Sequence, residues 1–308
     1  MPSEPVVLLA IASVMLYAAS RTAAQALGGT LGRAVGHFIP IGLVSAIAAW
    51  LGYEALAIDL LFASTAMAVT LVIGVALLSA PMNVQRFDRR TWPLFLPVVA
   101  LTWMAGSMGV VDWRVAAGLV GLGATFAWIA SGDRGTFPGH GEPRLGFRWL
   151  LLALSIITAV LGAIACVVGA GQVLQVSRSA TQGVLASTIV APLLVLPILG
   201  ATTEAAQNEG SSANAIGTCF AMALLNLCAG LPVLLLVRMA RQTVLLDVPM
   251  TPFPIPYGVW RQDTIILIMS SLLLAPIGVG RWSATRLEGL LLVVFYVMYL
   301  YLVSPLGA

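Results

Sequence analysis

The residues of this 308-residue chain that invite chemistry are a few acids set in or beside long apolar runs. Asp59 stands between Ile58 and Leu60, Glu54 lies in Gly52-Tyr53-Glu54-Ala55, and Glu204 follows Ala201-Thr202-Thr203. If these runs cross a bilayer, a carboxylate at a helix centre costs roughly 2.5 to 3.5 kcal/mol on insertion scales, so acids there are functional candidates by default. Depth separates such acids from helix-end charges. Glu204 comes about 20 apolar residues after Gly183, which fits either a ligand inside the span or a charge at its surface end. Asp59 is either a ligand or an interfacial residue whose charge suits the start of a helix. Glu209, in Gln207-Asn208-Glu209-Gly210, reads as a solvated loop charge. Asn226 reads as a hydrogen bonder in helix packing. His37 reads as an interfacial residue, with a proton-sensitive gate as its functional alternative.

The elements that must position these residues are membrane helices. Hydrophobic residues make up 60% of the chain and charged residues 9%, where soluble domains carry about 25% charged residues. A span needs about 20 apolar residues, so the length allows roughly ten spans and leaves no room for a soluble domain. Apolar runs place them near 6–24, 35–52, 56–80, 92–111 and 114–131, then near 148–175, 183–207, 212–237, 262–280 and 287–304. The first run follows Glu4 rather than a basic segment, so it is read as a span and not as a secretory leader. The fold expected is an all-α membrane protein of about ten transmembrane helices.

The basic residues are all Arg, and the net charge of +3 is too small to suggest nucleic acid. Ten Arg fall on one side of the ten-span plan and five on the other. Positive residues are retained in the cytoplasm, so the 132–147 connector is expected inside and both termini outside, in a bacterial-type inner (plasma) membrane. Between Met239 and Trp260, Pro249, Pro252, Pro254 and Pro256 predict an extended surface loop. Cys166, Cys219 and Cys228 lack the spacing of zinc or redox sites and read as small buried residues. No His-Glu-x-x-His pair or serine elbow is present, so no enzyme is expected.

The polar connector divides the chain into residues 1–131 and 148–308, and the two parts resemble each other. Asp112-Trp113-Arg114-Val115-Ala116-Ala117-Gly118-Leu119 parallels Ala284-Thr285-Arg286-Leu287-Glu288-Gly289-Leu290-Leu291. Ala66-Met67-Ala68 parallels Ala221-Met222-Ala223, and Pro40 parallels Pro192. A five-span unit used twice gives two inverted copies, as in many secondary transporters.

Leu196-Pro197-Ile198-Leu199-Gly200-Ala201-Thr202-Thr203-Glu204-Ala205 resembles the repeat motif of the cation/calcium antiporter superfamily, in its proton/calcium version. Ala215-Ile216-Gly217-Thr218-Cys219 is similar to the motif of the next helix, and Ser79-Ala80-Pro81-Met82-Asn83-Val84 is similar to the connector after the first motif. The resemblance is specific only over residues 192–232. It implies ten helices in two inverted five-helix repeats, with inorganic cations and the lipid bilayer as partners and no cofactor beyond the transported cation, Ca²⁺ or Na⁺. It implies cation binding by Glu204, with Thr202, Thr203 and Thr218 as oxygen donors of the kind hard cations require. The chain departs from the motif at Ala201, where the family has Asn. Residues 39–51 of the second span contain no acid, so the first copy's carboxylate falls to Glu54, under a connector five residues shorter, or to Asp59. The function implied is antiport of Ca²⁺ or another cation against Na⁺ or H⁺. The alternatives are a transport-inactive scaffold or regulatory subunit, and a ten-helix transporter of another small solute.

Overall fold

A computed structural model describes residues 3–82, 92–132, 145–176, 181–209, 212–247, 249–278 and 283–303. The first half holds α1 (Ser3–Leu27), α2 (Gly29–Leu51), α3 (Glu54–Ser79), α4 (Phe95–Ser107) and α5 (Trp113–Gly132). The second holds α6 (Leu145–Val176), α7 (Gln182–Asn208), α8 (Ala213–Leu246), α9 (Tyr257–Gly278) and α10 (Arg286–Val303). These ten helices cross back and forth as two inverted five-helix repeats. The first helices of the halves show the inversion, since α1 runs antiparallel along α6. Leu16 lies against Gly162 and Leu9 against Gly169.

Burial sorts the helices by role. In α3, 89% of the most apolar stretch is buried, against 33% in α1 and 22% in α10. A helix apolar on every face belongs at a bundle centre, and α3 is apolar on every face from Leu56 to Met67 apart from Asp59, Ser64 and Thr65. The peripheral helices turn Val14, Trp128, Leu150 and Val297 outward, where lipid would cover them. Close approaches rest on glycine. A Cβ on Gly36 of α2 would come within 2.3 Å of the Ala24 nitrogen of α1, and one on Gly74 of α3 within 2.8 Å of the Gly289 carbonyl of α10.

The central helices are not regular. α3 widens into a π-helical turn at Ala68–Val72, α7 at Ala186–Val190 and α8 at Asn226–Gly230. In α7 and α8 a proline, Pro192 or Pro232, follows two residues after the turn ends. A proline ring clashes with the carbonyl four residues back. That carbonyl belongs to Thr188 or Cys228, inside the widened turn, where the helix has room for the ring.

The proline-rich segment is shorter than its composition predicts. α8 continues helical through Leu246, and α9 begins at Tyr257. Asp247, at φ 48°, ends α8 in a left-handed turn. Residues 249–256 are extended, and Phe253–Pro254 (β2) pairs antiparallel with Val110–Val111 (β1) between α4 and α5. Gln242 explains the extra helix: its Oε1 accepts from the Thr251 N–H at 2.8 Å, and its Nε2 donates to Thr251 Oγ1 at 2.6 Å.

Candidate cation-binding site

Three polar levels lie along α3, starting from the end that carries the proline-rich segment. At the rim, Glu54 pairs with Arg238 and, at 3.9 Å, with Arg241, both from α8. Gln182 of α7 caps the same end by accepting the Leu56 N–H at 3.0 Å, which satisfies a donor that the first turn leaves free. Five residues on, about 7.5 Å deeper at the helical rise, comes Asp59. It is 1% exposed, and neither carboxyl oxygen has a hydrogen-bond partner.

The third level is Ser64 and Thr65, about 15 Å from the rim, half the thickness of a hydrocarbon core of about 30 Å. Asn226 of α8 donates to both hydroxyls at 3.2 Å. These hydroxyls in turn donate to the Leu61 carbonyl, at 3.2 Å and 2.7 Å. The Asn226 Oδ1 is buried without a partner. This layer joins the third helix of one half to the third helix of the other, next to the π turns of both. It is a neutral set of oxygens, suited to orient a cation and unable to compensate its charge.

The remaining sequence candidates lie toward the other end. Glu204 is largely exposed on α7 and pairs with Arg21 of α1 at 3.1 Å. Thr202 is buried and donates to the Ile198 carbonyl at 2.7 Å, and Thr203 donates to the Leu199 carbonyl at 2.7 Å. Thr218 of α8 is buried and donates to the Asn214 carbonyl at 2.9 Å. Each hydroxyl keeps an oxygen lone pair to offer. The structure sets Asp59 and Glu54 on one helix end and Glu204 on the opposite end of another, so the three carboxylates do not converge.

Other polar groups lie in the interior. The His37 ring is buried, with Nδ1 2.7 Å from the Ser20 hydroxyl between α1 and α2. Asn226 does pack helices by hydrogen bonding, and it does so at the middle of the bundle. A ninth span starting near 262 puts Asp263 at its edge. With α9 beginning at Tyr257, Asp263 enters the interior, 1% exposed. The signal available was Tyr257-Gly258-Val259-Trp260, an apolar run directly after Pro256. The side chain of Glu209 lies outside the described residues. All three cysteines are buried and unpaired by disulfides.

A helical bundle with inverted repeats and π-broken central helices is the fold of a membrane transporter. The family model for the sodium/calcium exchanger protein matches residues 147–304, and the chain belongs to that family. No curated protein matches the chain. Among solved structures, the H⁺/Ca²⁺ exchanger CAX superposes with a TM-score of 0.75 at 10% identity, over 98% of this chain and 85% of that one. The sodium-calcium exchanger NCX_Mj, soaked with Na⁺ and Sr²⁺, superposes with a TM-score of 0.65 at 19% identity, over 99% of each chain. At these identities the likeness is one of fold.

Proposed function

We propose that the protein is a secondary antiporter that exchanges Ca²⁺ or another hard cation against Na⁺ or H⁺ by alternating access between its halves, residues 1–131 and 148–308, joined by the 132–147 connector. The observation that carries this reading is Asp59, a fully buried carboxyl on the central helix with no hydrogen-bond partner, one and a half turns from the Ser64–Thr65–Asn226 layer. A buried carboxylate without counter-charge is costly in a bilayer. A passing cation supplies that charge.

Family membership and the matching folds support exchange as the mode of action. The polar path also supports it. It runs from Glu54 at one rim past Asp59 to the neutral layer, and beyond it Thr202 and Thr218 offer oxygens toward the opposite end. Glu54 and Glu204, each held by arginine, serve in this reading as clasps at the two ends. The Arg distribution supports a topology with the Glu54 rim and both termini outside, in an inner (plasma) membrane of bacterial type.

The test is ⁴⁵Ca²⁺ uptake into liposomes holding purified protein, driven by outward Na⁺ or H⁺ gradients. Uptake that follows one of these gradients and collapses with it supports the antiporter and identifies its coupling ion. Absence of uptake of Ca²⁺, Sr²⁺ or Na⁺ under every gradient overturns the reading in favour of a scaffold role.

A further inference from the structure

Asp59 is not the only buried acid at its depth. Asp263 of α9 lies six residues past Tyr257, so the helical rise puts it about 9 Å below the same rim, near the depth of Asp59, and Tyr299 lies one turn from Tyr296, whose hydroxyl meets Met67 of α3. Contacts agree with this count. α3, α9 and α10 pack against one another, Asp263 lies close enough to Asp59 for the two acids to interact, and the Tyr299 hydroxyl lies beside Asp263. Tyr299 is 1% exposed.

The polar valences here are not closed. Both oxygens of Asp59, Oδ2 of Asp263 and the Thr264 hydroxyl are buried without hydrogen-bond partners. Among the described residues no arginine pairs with either acid, although Arg238 and Arg241 stand on Glu54 one and a half turns above. Tyr296, the next ring on α10, directs its hydroxyl to Met67 Sδ at 3.5 Å and so does not close the set. Two neighbouring buried acids cannot both carry charge unless something positive sits beside them. Two carboxylates with neutral hydroxyl oxygen beside them are the donor set of a hard divalent cation.

We propose that Asp59 and Asp263, with the Tyr299 hydroxyl beside them, form a binding site for a divalent cation such as Ca²⁺, between α3, α9 and α10 and about midway between the Glu54 rim and the midplane. The site draws its second carboxylate from α9, outside the repeat motifs. It explains how a chain with no acid in residues 39–51 still presents two carboxylates to one ion. The inference deepens the antiporter reading and rests on it only for the site's purpose, since binding is measured without transport.

Equilibrium binding of ⁴⁵Ca²⁺ to purified protein in detergent, together with Tb³⁺ luminescence excited through tyrosine, tests the site. Asp59→Asn and Asp263→Asn are each expected to weaken binding by at least about a hundredfold, as loss of one partner in a buried ion pair would. Tyr299→Phe is expected to weaken it by about tenfold, the scale of an outer-shell partner, and to dim the Tb³⁺ signal. Wild-type protein gives an independent reading: Ca²⁺ should protect Asp59 and Asp263 from labelling by dicyclohexylcarbodiimide, mapped by mass spectrometry. Binding unchanged in both Asn variants, or labelling of both acids unaffected by Ca²⁺, overturns the proposal. Ca²⁺ binding lost in these variants without gradient-driven exchange in the wild type keeps the site and removes the antiporter. Exchange that survives Asp263→Asn does the reverse.

Discussion

The acids at the ends of the helices and the acids inside the bundle live by different rules. Glu54 has Arg238 and Arg241, and Glu204 has Arg21. Asp59 and Asp263 have no arginine among the described residues, and both oxygens of Asp59 are without a hydrogen-bond partner. An arginine fixed beside a carboxylate ends its need for charge and makes a clasp between helices. A carboxylate left without one needs charge that arrives and leaves. Among the described residues the arginines stand at the helix ends, and none pairs with the interior acids, where the proposed cation would sit.

The contrast is broken most directly by removing an interior charge. Asp59→Asn is expected to lower gradient-driven uptake by about a hundredfold or more, read as initial ⁴⁵Ca²⁺ flux per reconstituted protein. Protein yield and thermal unfolding should hold or improve, because the substitution removes a buried charge. The neutral layer comes next. Asn226→Leu forfeits two interhelical hydrogen bonds worth about 0.6 kcal/mol each in membrane proteins, so unfolding in detergent should come a few degrees earlier, with flux reduced less than in Asp59→Asn. Of the two clasps, the half-buried one matters more. Arg238→Ala should cost about 1 kcal/mol of stability, and Glu54→Gln should lose a similar amount. Glu204→Gln, at an exposed pair, should change stability by less than about 0.5 kcal/mol and leave flux within about twofold. A large loss of flux in Glu204→Gln with Asp59→Asn unaffected would invert the comparison.

Sequence alone carries the bilayer fold because apolar runs and charged breaks are set by the solvent, and a span's length is set by the membrane. The two-copy plan was legible through weak pairs such as Ala66-Met67-Ala68 and Ala221-Met222-Ala223. The site was less so. Asp59 stands out as an acid in an apolar run, but hydropathy cannot separate a ligand near a rim from a helix-start charge, and only packing shows that Asp59 is itself buried. Glu204 drew attention through its motif, and its partner Arg21 lies 183 residues away, invisible to any local pattern. The helical extension to Leu246 was hidden because four prolines dominate the composition of that stretch, while Gln242 and Thr251, which stabilise the turn, look ordinary. For a related reason Asp263 reads as a helix-edge charge when the span is placed five residues too late, at 262 rather than 257.

One side-by-side measurement bears on the whole account: ⁴⁵Ca²⁺ uptake driven by outward Na⁺ or H⁺ gradients in liposomes carrying wild type, Asp59→Asn or Glu204→Gln at equal protein density. Uptake is expected in the wild type and in Glu204→Gln, and none above empty liposomes in Asp59→Asn. Full uptake by Asp59→Asn would contradict it.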